Sequence, residues 1–505
     1  MSINKDKLYK SGYATAFLGC ISVLPMSDTI ALRNILLVSM VLLMLGGIIF
    51  SSDIRHHFVL SSKLIPAPLV LWVVYLFVFP FWAPMSEIAW ENVRGQWGES
   101  IVAWIAGLGA AVILSSTGLS LWKLGFASAF PILVHLSLAC VSYLGLFSAD
   151  YYGHQNLSGL ISEVISWTSG KFNPTWQSNP LDTGFLGIES QPGNIGYASS
   201  VAIGIFSILF LTAKRTGNLK EMITAFGLVV LCFLSILVVR TRGGLIFGLL
   251  MIGLAAIFVN FSTKSISLRN PRSDFLGSVS SYRSFVVYLL VVIIGCIVYF
   301  GTKADPRWAT MVDKVQAGFS IADPIASLCN GLSHDEEFAI RDRLNTKSPT
   351  HIEEVIGGVR GQDGGRVILM RAGMQLVLEN PLGLDGSRQS YERLIRVKCN
   401  GRPELNFANS HNSWIDLSLA LGWIGGALFF INLLYFVRYS LMVFGDEEYM
   451  PVIATLGLLA TFWLFRGLFD TLYREHYLQM QGLIISYLYM TIALKFSLKK
   501  TTRTS

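Results

Sequence analysis

Apolar blocks of about 20 residues, the length that a helix needs to cross the hydrocarbon core of a bilayer, recur along the whole chain. We therefore predict an all-α integral membrane protein with about twelve transmembrane helices. The predicted spans are residues 13–27, 30–50, 65–83, 99–115, 121–149, 193–212, 221–239, 243–260, 285–301, 412–437, 451–466 and 476–494.

The composition supports this class. Apolar residues make up 52% of the 505 residues and charged residues only 14%, and the mean hydropathy is +0.54. A soluble domain carries about a quarter charged residues. The chain is therefore too poor in charge for a soluble protein of this length.

The distribution of positive charge predicts the orientation of the spans. With the N-terminus inside, eighteen Lys and Arg residues fall on short inner segments, and the outer segments carry few apart from one long loop. Both termini are then expected in the cytoplasm. We interpret the net charge of +7 as this orientation signal, so no nucleic-acid partner is expected.

Two outer loops are long, residues 150–192 and 302–410. We divide the chain into transmembrane helices 1–9 (1–301), a loop domain (302–410) and transmembrane helices 10–12 (411–505). No inner loop can hold a nucleotide-binding domain, and no Gly-x-x-x-x-Gly-Lys-Ser/Thr loop occurs. ATP is therefore not expected as the energy source, and any chemistry is expected outside.

Two cysteines, Cys329 and Cys399, lie in the 302–410 loop, where the compartment is oxidising. We predict that they form a disulfide, which would contribute roughly 4 kcal/mol in the chain-entropy model by closing a loop of about 70 residues. The alternative is two free buried thiols. The other four cysteines lie in predicted spans and are interpreted as small apolar packing residues.

The half of this loop that leads back to the membrane is cationic. Residues 360–402 hold eight basic and four acidic side chains, which favours an anionic ligand. Residues 366–379 are predicted to form a helix that ends before Asn380-Pro381 and is too short to span, so it is expected on the membrane surface or against the bundle. Arg371 in this helix is a candidate anion ligand, with a charge on a solvated face as the alternative.

A second candidate anion site opens the predicted span 243–260, at Arg240-Thr241-Arg242-Gly243-Gly244. The first turn of a helix offers free N–H groups and the positive end of the helix dipole, and glycines let an anion come close. Arg240, Arg242 and Gly243 are therefore candidate phosphate ligands. The alternative is that the two arginines only anchor the helix end at the interface.

A candidate base, His411, opens the span 412–437 in Asn409-Ser410-His411-Asn412-Ser413-Trp414. The positive end of a helix disfavours the imidazolium, so this histidine is expected to be neutral and able to accept a proton at pH 7. An ordinary polar end-group is the alternative.

Together these groups suit transfer of a glycan from a lipid diphosphate. The diphosphate must be held as it gains charge, and the acceptor hydroxyl must lose a proton. Arginines can do the work that a metal does elsewhere. The chain has no Asp-x-Asp triplet, and its acidic runs at 335–337 and 446–448 are interpreted as solvated charge, so neither a metal nor another cofactor is expected.

The order of these motifs resembles the O-antigen ligase and O-antigen polymerase superfamily of membrane glycosyltransferases. The resemblance covers about residues 221–440 and rests on four elements in sequence: Arg242-Gly243-Gly244, Arg371 ahead of Asn380-Pro381-Leu382-Gly383-Leu384-Asp385-Gly386, His411-Asn412-Ser413-Trp414, and Leu421-Gly422-Trp423-Ile424-Gly425-Gly426.

The resemblance implies a helical bundle related to the GT-C class, acting with inversion and without metal or ATP. It implies that Arg242 and Arg371 bind the carrier diphosphate and that His411, in the motif with Asn412, is the base. Arg466 and Asp470, in Arg466-Gly467-Leu468-Phe469-Asp470, are implied as further site residues.

Within this superfamily, a ligase moves the polymer from undecaprenyl diphosphate to the lipid A-core, on the periplasmic face of the bacterial inner membrane. One dominant loop before the histidine favours the ligase. The alternatives are a polymerase that extends the carrier-linked glycan and an oligosaccharyltransferase that uses Ser or Thr of a protein. A flippase or other transporter is the non-enzyme alternative, but the functional candidates cluster outside the spans rather than at their midplane.

Overall fold

The computed structural model describes residues 5–26, 29–115, 118–143, 192–238, 241–269, 281–304, 306–361, 363–405, 407–443, 448–471 and 475–504. Within these ranges the chain forms helices and turns and no strand, which confirms the all-helical prediction. Arg240 and all but the last residue of the predicted 150–192 loop lie outside the described residues.

The helices before the long loop form most of the membrane bundle. They are α1 Lys5–Val23, α2 Ile30–Phe50, α3 Ser52–Ser62, α4 Ala67–Val78, α5 Ser86–Asn92, α6 Gly98–Ile113, α7 Leu121–Tyr143, α8 Pro192–Thr216, α9 Leu219–Val238, α10 Arg242–Arg269 and α11 Ser281–Ala304.

The long loop is itself helical, and three helices follow it. The loop helices are α12 Met311–Ser320, α13 Pro324–Asn330, α14 His334–Arg343, α15 Pro349–Gly361, α16 Asp363–Glu379 and α17 Ser390–Lys398. The last three are α18 Ser413–Met442, α19 Met450–Arg466 and α20 Glu475–Thr504.

Eight helices in the described part of the chain are long and apolar enough to cross a membrane. A ninth crossing results if Ser52–Ser62 and Ala67–Phe81, which are bent by 85° at their junction, count as one broken span. Leu121–Val134 and Met450–Arg466 are apolar but shorter. The chain is thus a multi-pass membrane protein, but these helices do not reach the predicted number of about twelve.

The loop helices share a hydrophobic core of their own. Its buried side chains include Leu328, Ile356, Ile368 and Leu376, and Leu419 from the first part of α18 belongs to the same core. A separate, much larger core fills the bundle. The loop is therefore a folded helical unit that is anchored on the beginning of α18.

The disulfide Cys329–Cys399 joins the end of α13 to the end of α17, with 5.1 Å between the Cα atoms. Two backbone hydrogen bonds flank it, from the Glu404 N–H to the Cys329 carbonyl at 3.3 Å and from the Leu405 N–H to the Leu328 carbonyl at 3.1 Å. The cross-link and these bonds hold the segment that leads to His411 against the loop core.

The prediction of one continuous span at 412–437 is wrong, because α18 folds back at Gly422. Gly422 has φ 76° and ψ 174°, a conformation essentially restricted to glycine. The rings of Trp414 and Phe430 are 5.0 Å apart between centroids, whereas sixteen residues of straight helix would separate them by about 24 Å. The segment 413–421 therefore returns alongside the segment 423–442.

Two further glycines make this helical hairpin possible. A Cβ on Gly425 would lie 2.5 Å from the Leu421 Cβ, and a Cβ on Gly426 would lie 2.7 Å from the Ser418 Oγ. The motif Gly422-Trp423-Ile424-Gly425-Gly426 thus encodes a reversal followed by a close helix contact.

The turn after α16 is hydrogen-bonded to the tip of this hairpin. The Trp423 N–H donates to the Pro381 carbonyl at 3.0 Å, and the Gly386 N–H donates to the Ala420 carbonyl at 2.9 Å. A Cβ on Gly383 would lie 2.2 Å from the Gly422 nitrogen. The two glycine-rich motifs, which are distant in sequence, are therefore the two sides of one contact.

Candidate functional site

His411 lies at the free end of the hairpin's short arm, immediately before helix α18. Its φ is +55°, which is uncommon for a residue with a side chain and is typical of constrained functional positions. The conformation is fixed on both sides. The His411 N–H donates to Asn409 Oδ1 at 3.1 Å, and Asn412 Oδ1 caps the helix by accepting from the Trp414 and Ile415 N–H groups.

The same segment is fastened to the turn that follows α19. The Ser413 N–H donates to the Gly467 carbonyl at 2.7 Å, and the Ser413 Oγ donates to the Asp470 carbonyl at 2.7 Å. Asn412 Nδ2 donates to the Leu468 carbonyl at 3.1 Å. These bonds place His411 and Asp470, which are far apart in sequence, side by side.

His411, Asp470 and Arg466 follow one another in space. His411 Nδ1 is 3.9 Å from Asp470 Oδ1, which is an electrostatic contact longer than a hydrogen bond. Arg466 Nη2 donates to Asp470 Oδ2 at 3.1 Å. The carboxylate therefore faces one ring nitrogen of His411, and Nε2 lies on the opposite side of the imidazole.

The charged side chain of Arg466 lies among aromatic rings and is only 3% exposed. Its guanidinium carbon lies 5.1 Å from the ring centre of Tyr197, 5.2 Å from that of Phe247 and 5.9 Å from that of Phe462. Its Nε and Nη1 atoms are buried without a hydrogen-bond partner among the described residues. Two donors thus remain for an acceptor that enters the site.

The electrostatics keep Asp470 ionised. Burial raises the pKa of its carboxyl, but His411 and Arg466 together lower it by more, and Arg366 adds to the lowering. The net pKa is below the ordinary value for an aspartate. Asp470 is therefore a fixed negative charge that can stabilise an imidazolium on His411.

Arg242 forms a two-pronged ion pair with Asp363, the first residue of α16. Arg242 Nη1 is 2.6 Å from Asp363 Oδ2, and Nη2 is 2.9 Å from Oδ1. Further along α10, Phe247 contacts Arg466 and the ring of Phe469. The start of α10 therefore lies beside the histidine site, and its arginine is bound to the start of the loop's main helix.

The glycines next to Arg242 differ in their surroundings. A Cβ on Gly244 would lie 3.1 Å from the Gly196 Cα, so α10 and α8 approach closely there. Gly243 is exposed, and a Cβ there would meet nothing within 4 Å. The anion-binding role of Gly243 stays a prediction.

Arg366 is a further candidate site residue, which sequence reasoning missed. It lies one turn after Asp363, is exposed, and makes no hydrogen bond or ion pair within the described part of the chain, while its charge acts on Asp470. Gly373 lies on the same face of α16, where a Cβ would be 2.7 Å from Ile415 and 3.1 Å from Ser410. This face of α16 is thus turned toward the His411 segment. The sequence signal for Arg366 is that it is a cation in the first turn of a helix, within the cationic half of the loop, residues 360–402.

Arg371 has other partners. Its Nη1 donates to the carbonyls of Gly318, Phe319 and Ile321, at 3.2, 3.1 and 2.5 Å, where α12 ends. Five residues correspond to about 140° around a helix, so Arg371 and Arg366 point in different directions. The structure brings together Arg242, Arg366, His411, Arg466 and Asp470 at one end of the bundle, and it holds Arg371 at the end of α12. A diphosphate contact of Arg371 stays a prediction.

The site combines a histidine, a carboxylate that faces it, and two guanidinium groups. Arg466 is paired with that carboxylate, whereas Arg366 makes no ion pair with a described residue. We call His411, Asp470, Arg466 and Arg366 the His411 cluster. Among the described residues, no group of His, Cys, Asp and Glu side chains is arranged to hold a metal ion. The arrangement can accept a proton at His411 and bind negative charge at the arginines.

Residues 200–430 match the model of the family described as O-antigen ligase. This region runs from α8 into α18 and contains Arg242, Arg366 and His411, and it ends before Arg466 and Asp470. No curated protein matches the chain. Residues 200–430, which are less than half of the chain, are therefore similar to the O-antigen ligase family.

Proposed function

We propose that this protein is an O-antigen ligase of the bacterial inner membrane. It transfers a polysaccharide from undecaprenyl diphosphate to the lipid A-core on the periplasmic face, and both termini lie in the cytoplasm. The observation that carries the proposal is the His411 cluster, in which a candidate base, its carboxylate and unpaired arginine donors meet at one end of a membrane bundle.

The reaction is a single displacement. The acceptor hydroxyl gives its proton to His411 Nε2 as its oxygen attacks the anomeric carbon of the donor sugar. The bond from that carbon to the diphosphate oxygen breaks, and the diphosphate leaves with the electron pair. Attack opposite the leaving group inverts the anomeric configuration. Asp470 stabilises the imidazolium that forms, and the arginines stabilise the charge on the leaving diphosphate.

The arginines divide this work according to their partners. Arg366 makes no ion pair with a described residue and is free to bind a phosphate directly, and Arg466 offers two donor nitrogens, Nε and Nη1, that have no partner among the described residues. Arg242 is already neutralised by Asp363, so it contributes by sharing its guanidinium between the carboxylate and the diphosphate. We infer a bundle of the GT-C type in which three cations surround one leaving group.

The test is transfer by the purified full chain, given undecaprenyl-diphosphate-linked polymer and lipid A-core. Product on the lipid A-core supports a ligase, whereas longer carrier-linked chains identify a polymerase. His411→Ala and Arg242→Ala are each expected to abolish transfer at normal protein levels. His334→Ala and Arg341→Ala, exposed positions on α14, are the matched controls and are expected to keep it. Normal transfer by His411→Ala would remove the base from the mechanism.

A further inference from the structure

Helix α16 presents an apolar edge that the loop core does not cover. Met374 is 52% exposed and Leu378, one turn further along, is 63% exposed. Leu382, in the turn after the helix, is 59% exposed. We call these three side chains the α16 ridge. Contiguous apolar exposure of this kind marks an interaction site.

The ridge continues into the lipid-facing side of the bundle. Trp423 Nε1 donates to the Val377 carbonyl at 3.0 Å, which joins the last turn of α16 to the beginning of the long arm of α18. Trp423 and Ile424 are themselves exposed, at 48% and 60%, at the end of a membrane-spanning segment. A tryptophan with its N–H bonded at the end of a span is typical of the membrane interface.

The other end of the ridge meets a cation. The Arg371 guanidinium binds the Phe319 carbonyl, and the Phe319 side chain is 56% exposed. Within the part of the chain that the structure describes, all the hydrogen-bond partners of Arg371 are backbone carbonyls, and no carboxylate pairs with its charge. Beside Leu378, Glu379 pairs with Lys398 at 2.8 Å. Apolar side chains bordered by long cationic ones are the pattern of elements that lie in the interface plane.

We propose that the α16 ridge lies in the membrane and contacts the acyl chains of the leaflet that adjoins this end of α18. The loop domain is then seated in the bilayer rather than held above it. Continuity with the exposed side of α18 selects lipid as the occupant, because the same leaflet that covers Ile424 reaches Leu382. Arg371 lies at headgroup level, where its uncompensated charge faces lipid phosphate.

The test uses fluorescence quenching by lipid with brominated acyl chains. A bimane label is placed on Met374→Cys or Leu378→Cys in the full chain, with Cys20, Cys140, Cys232 and Cys296 replaced by alanine and the disulfide retained. Phe338→Cys is the matched control, since Phe338 lies on α14 of the same domain and is 65% exposed. Ile431→Cys, on the exposed side of α18, is the reference for a lipid-facing label.

In nanodiscs of brominated phosphatidylcholine, the labels at 374 and 378 are expected to lose fluorescence as the label at 431 does, and the label at 338 to keep it. Aqueous iodide should quench the label at 338 and spare the other three. If the ridge labels respond to iodide and not to brominated lipid, the ridge faces water and the proposal is wrong. If neither quencher reaches them, another protein chain covers the ridge, which also overturns it.

Discussion

Asp470 is the residue on which the charges of the site converge. It pairs with the buried Arg466, and it faces His411. A guanidinium that is 3% exposed depends on such a partner, since aromatic faces compensate only part of the charge. We therefore expect this one carboxylate to have two tasks, to keep Arg466 in the fold and to stabilise a protonated His411.

The substitution Asp470→Asn removes the negative charge and therefore tests both tasks at once. It leaves Arg466 without an anionic partner, so we expect a loss of about 3 kcal/mol of stability, at the lower end for breaking a buried pair because Asp470 is partly exposed. Transfer should fall as well, since an amide does not stabilise an imidazolium. Unfolding in detergent and initial transfer rates measure the two losses. Unchanged values of both would show that the carboxylate has neither task.

The stability effect of Asp470 has a definite pH dependence. Its folded-state pKa is below the unfolded value, which is about 3.9. The stabilisation is therefore complete above the unfolded pKa and is lost as the pH falls through the folded-state pKa. The stability difference between wild type and Asp470→Asn should not shrink between pH 8 and pH 6, and it should shrink only in acid, below about pH 4. A difference that already shrinks between pH 8 and 6 would contradict this assignment.

Two arginines on α16 are predicted to have opposite phenotypes. Arg366→Ala should lower transfer strongly with unchanged stability, because Arg366 is exposed and unpaired among the described residues. Arg371→Ala should cost about 1 to 3 kcal/mol, because it leaves carbonyls at the end of α12 without a donor, while transfer per folded molecule changes less. Unfolding midpoints and transfer rates, measured with matched protein amounts, distinguish these two phenotypes. The reverse pattern would restore Arg371 as the diphosphate ligand that the sequence predicts.

The sequence could nominate His411 and Arg242, because each precedes a long apolar block and the start of a helix has a known chemistry. It could not choose between Arg366 and Arg371. That choice depends on how α16 is rotated about its axis, and the rotation is set by the packing of Gly373 on Ser410 and Ile415. Such a contact between distant segments leaves no periodic pattern in either one.

At the scale of elements, the hairpin in α18 controls where the histidine lies. Hydropathy cannot see the reversal, because residues 413–421 and 423–442 are equally apolar and together have the length of one long span. The glycines at 422, 425 and 426 are the only local sign. The fold-back brings Trp414 to the level of Phe429 and Phe430, so His411 lies beside the end of α19.

The substitution Gly422→Ala should therefore abolish transfer and destabilise the protein. A Cβ would lie 2.7 Å from the Leu382 carbonyl, in a backbone conformation that costs a side chain about 1 to 3 kcal/mol before the clash is counted. Gly253→Ala in α10 is the control, since a Cβ there meets nothing and alanine gains up to about 1 kcal/mol in a helix. Unfolding and transfer of both variants give the answer. A Gly422→Ala variant as active as Gly253→Ala would show that the reversal is dispensable.

At the scale of the whole molecule, two hydrophobic cores meet at the short arm of α18. Ile415 and Leu419 belong to the loop core, whereas Leu417 and Leu421 belong to the bundle core. The arm that carries His411 is thus held from both sides, and the site faces whichever compartment contains the loop domain. Lys and Arg residues are concentrated on the short segments at the other side of the membrane. The positive-inside rule therefore predicts that the compartment of the loop domain is outside.

Labelling of introduced cysteines tests this orientation in intact spheroplasts. Phe338→Cys on α14 and Lys220→Cys at the start of α9 are both exposed positions, and they are expected on opposite sides of the membrane. In the background without the four predicted span cysteines, a membrane-impermeant maleimide should label position 338 at once and position 220 only after the membrane is permeabilised. The reverse result would place the loop domain and the His411 cluster in the cytoplasm. A carrier-linked glycan displayed on the outer face could then not reach the site, whatever its residues can do chemically.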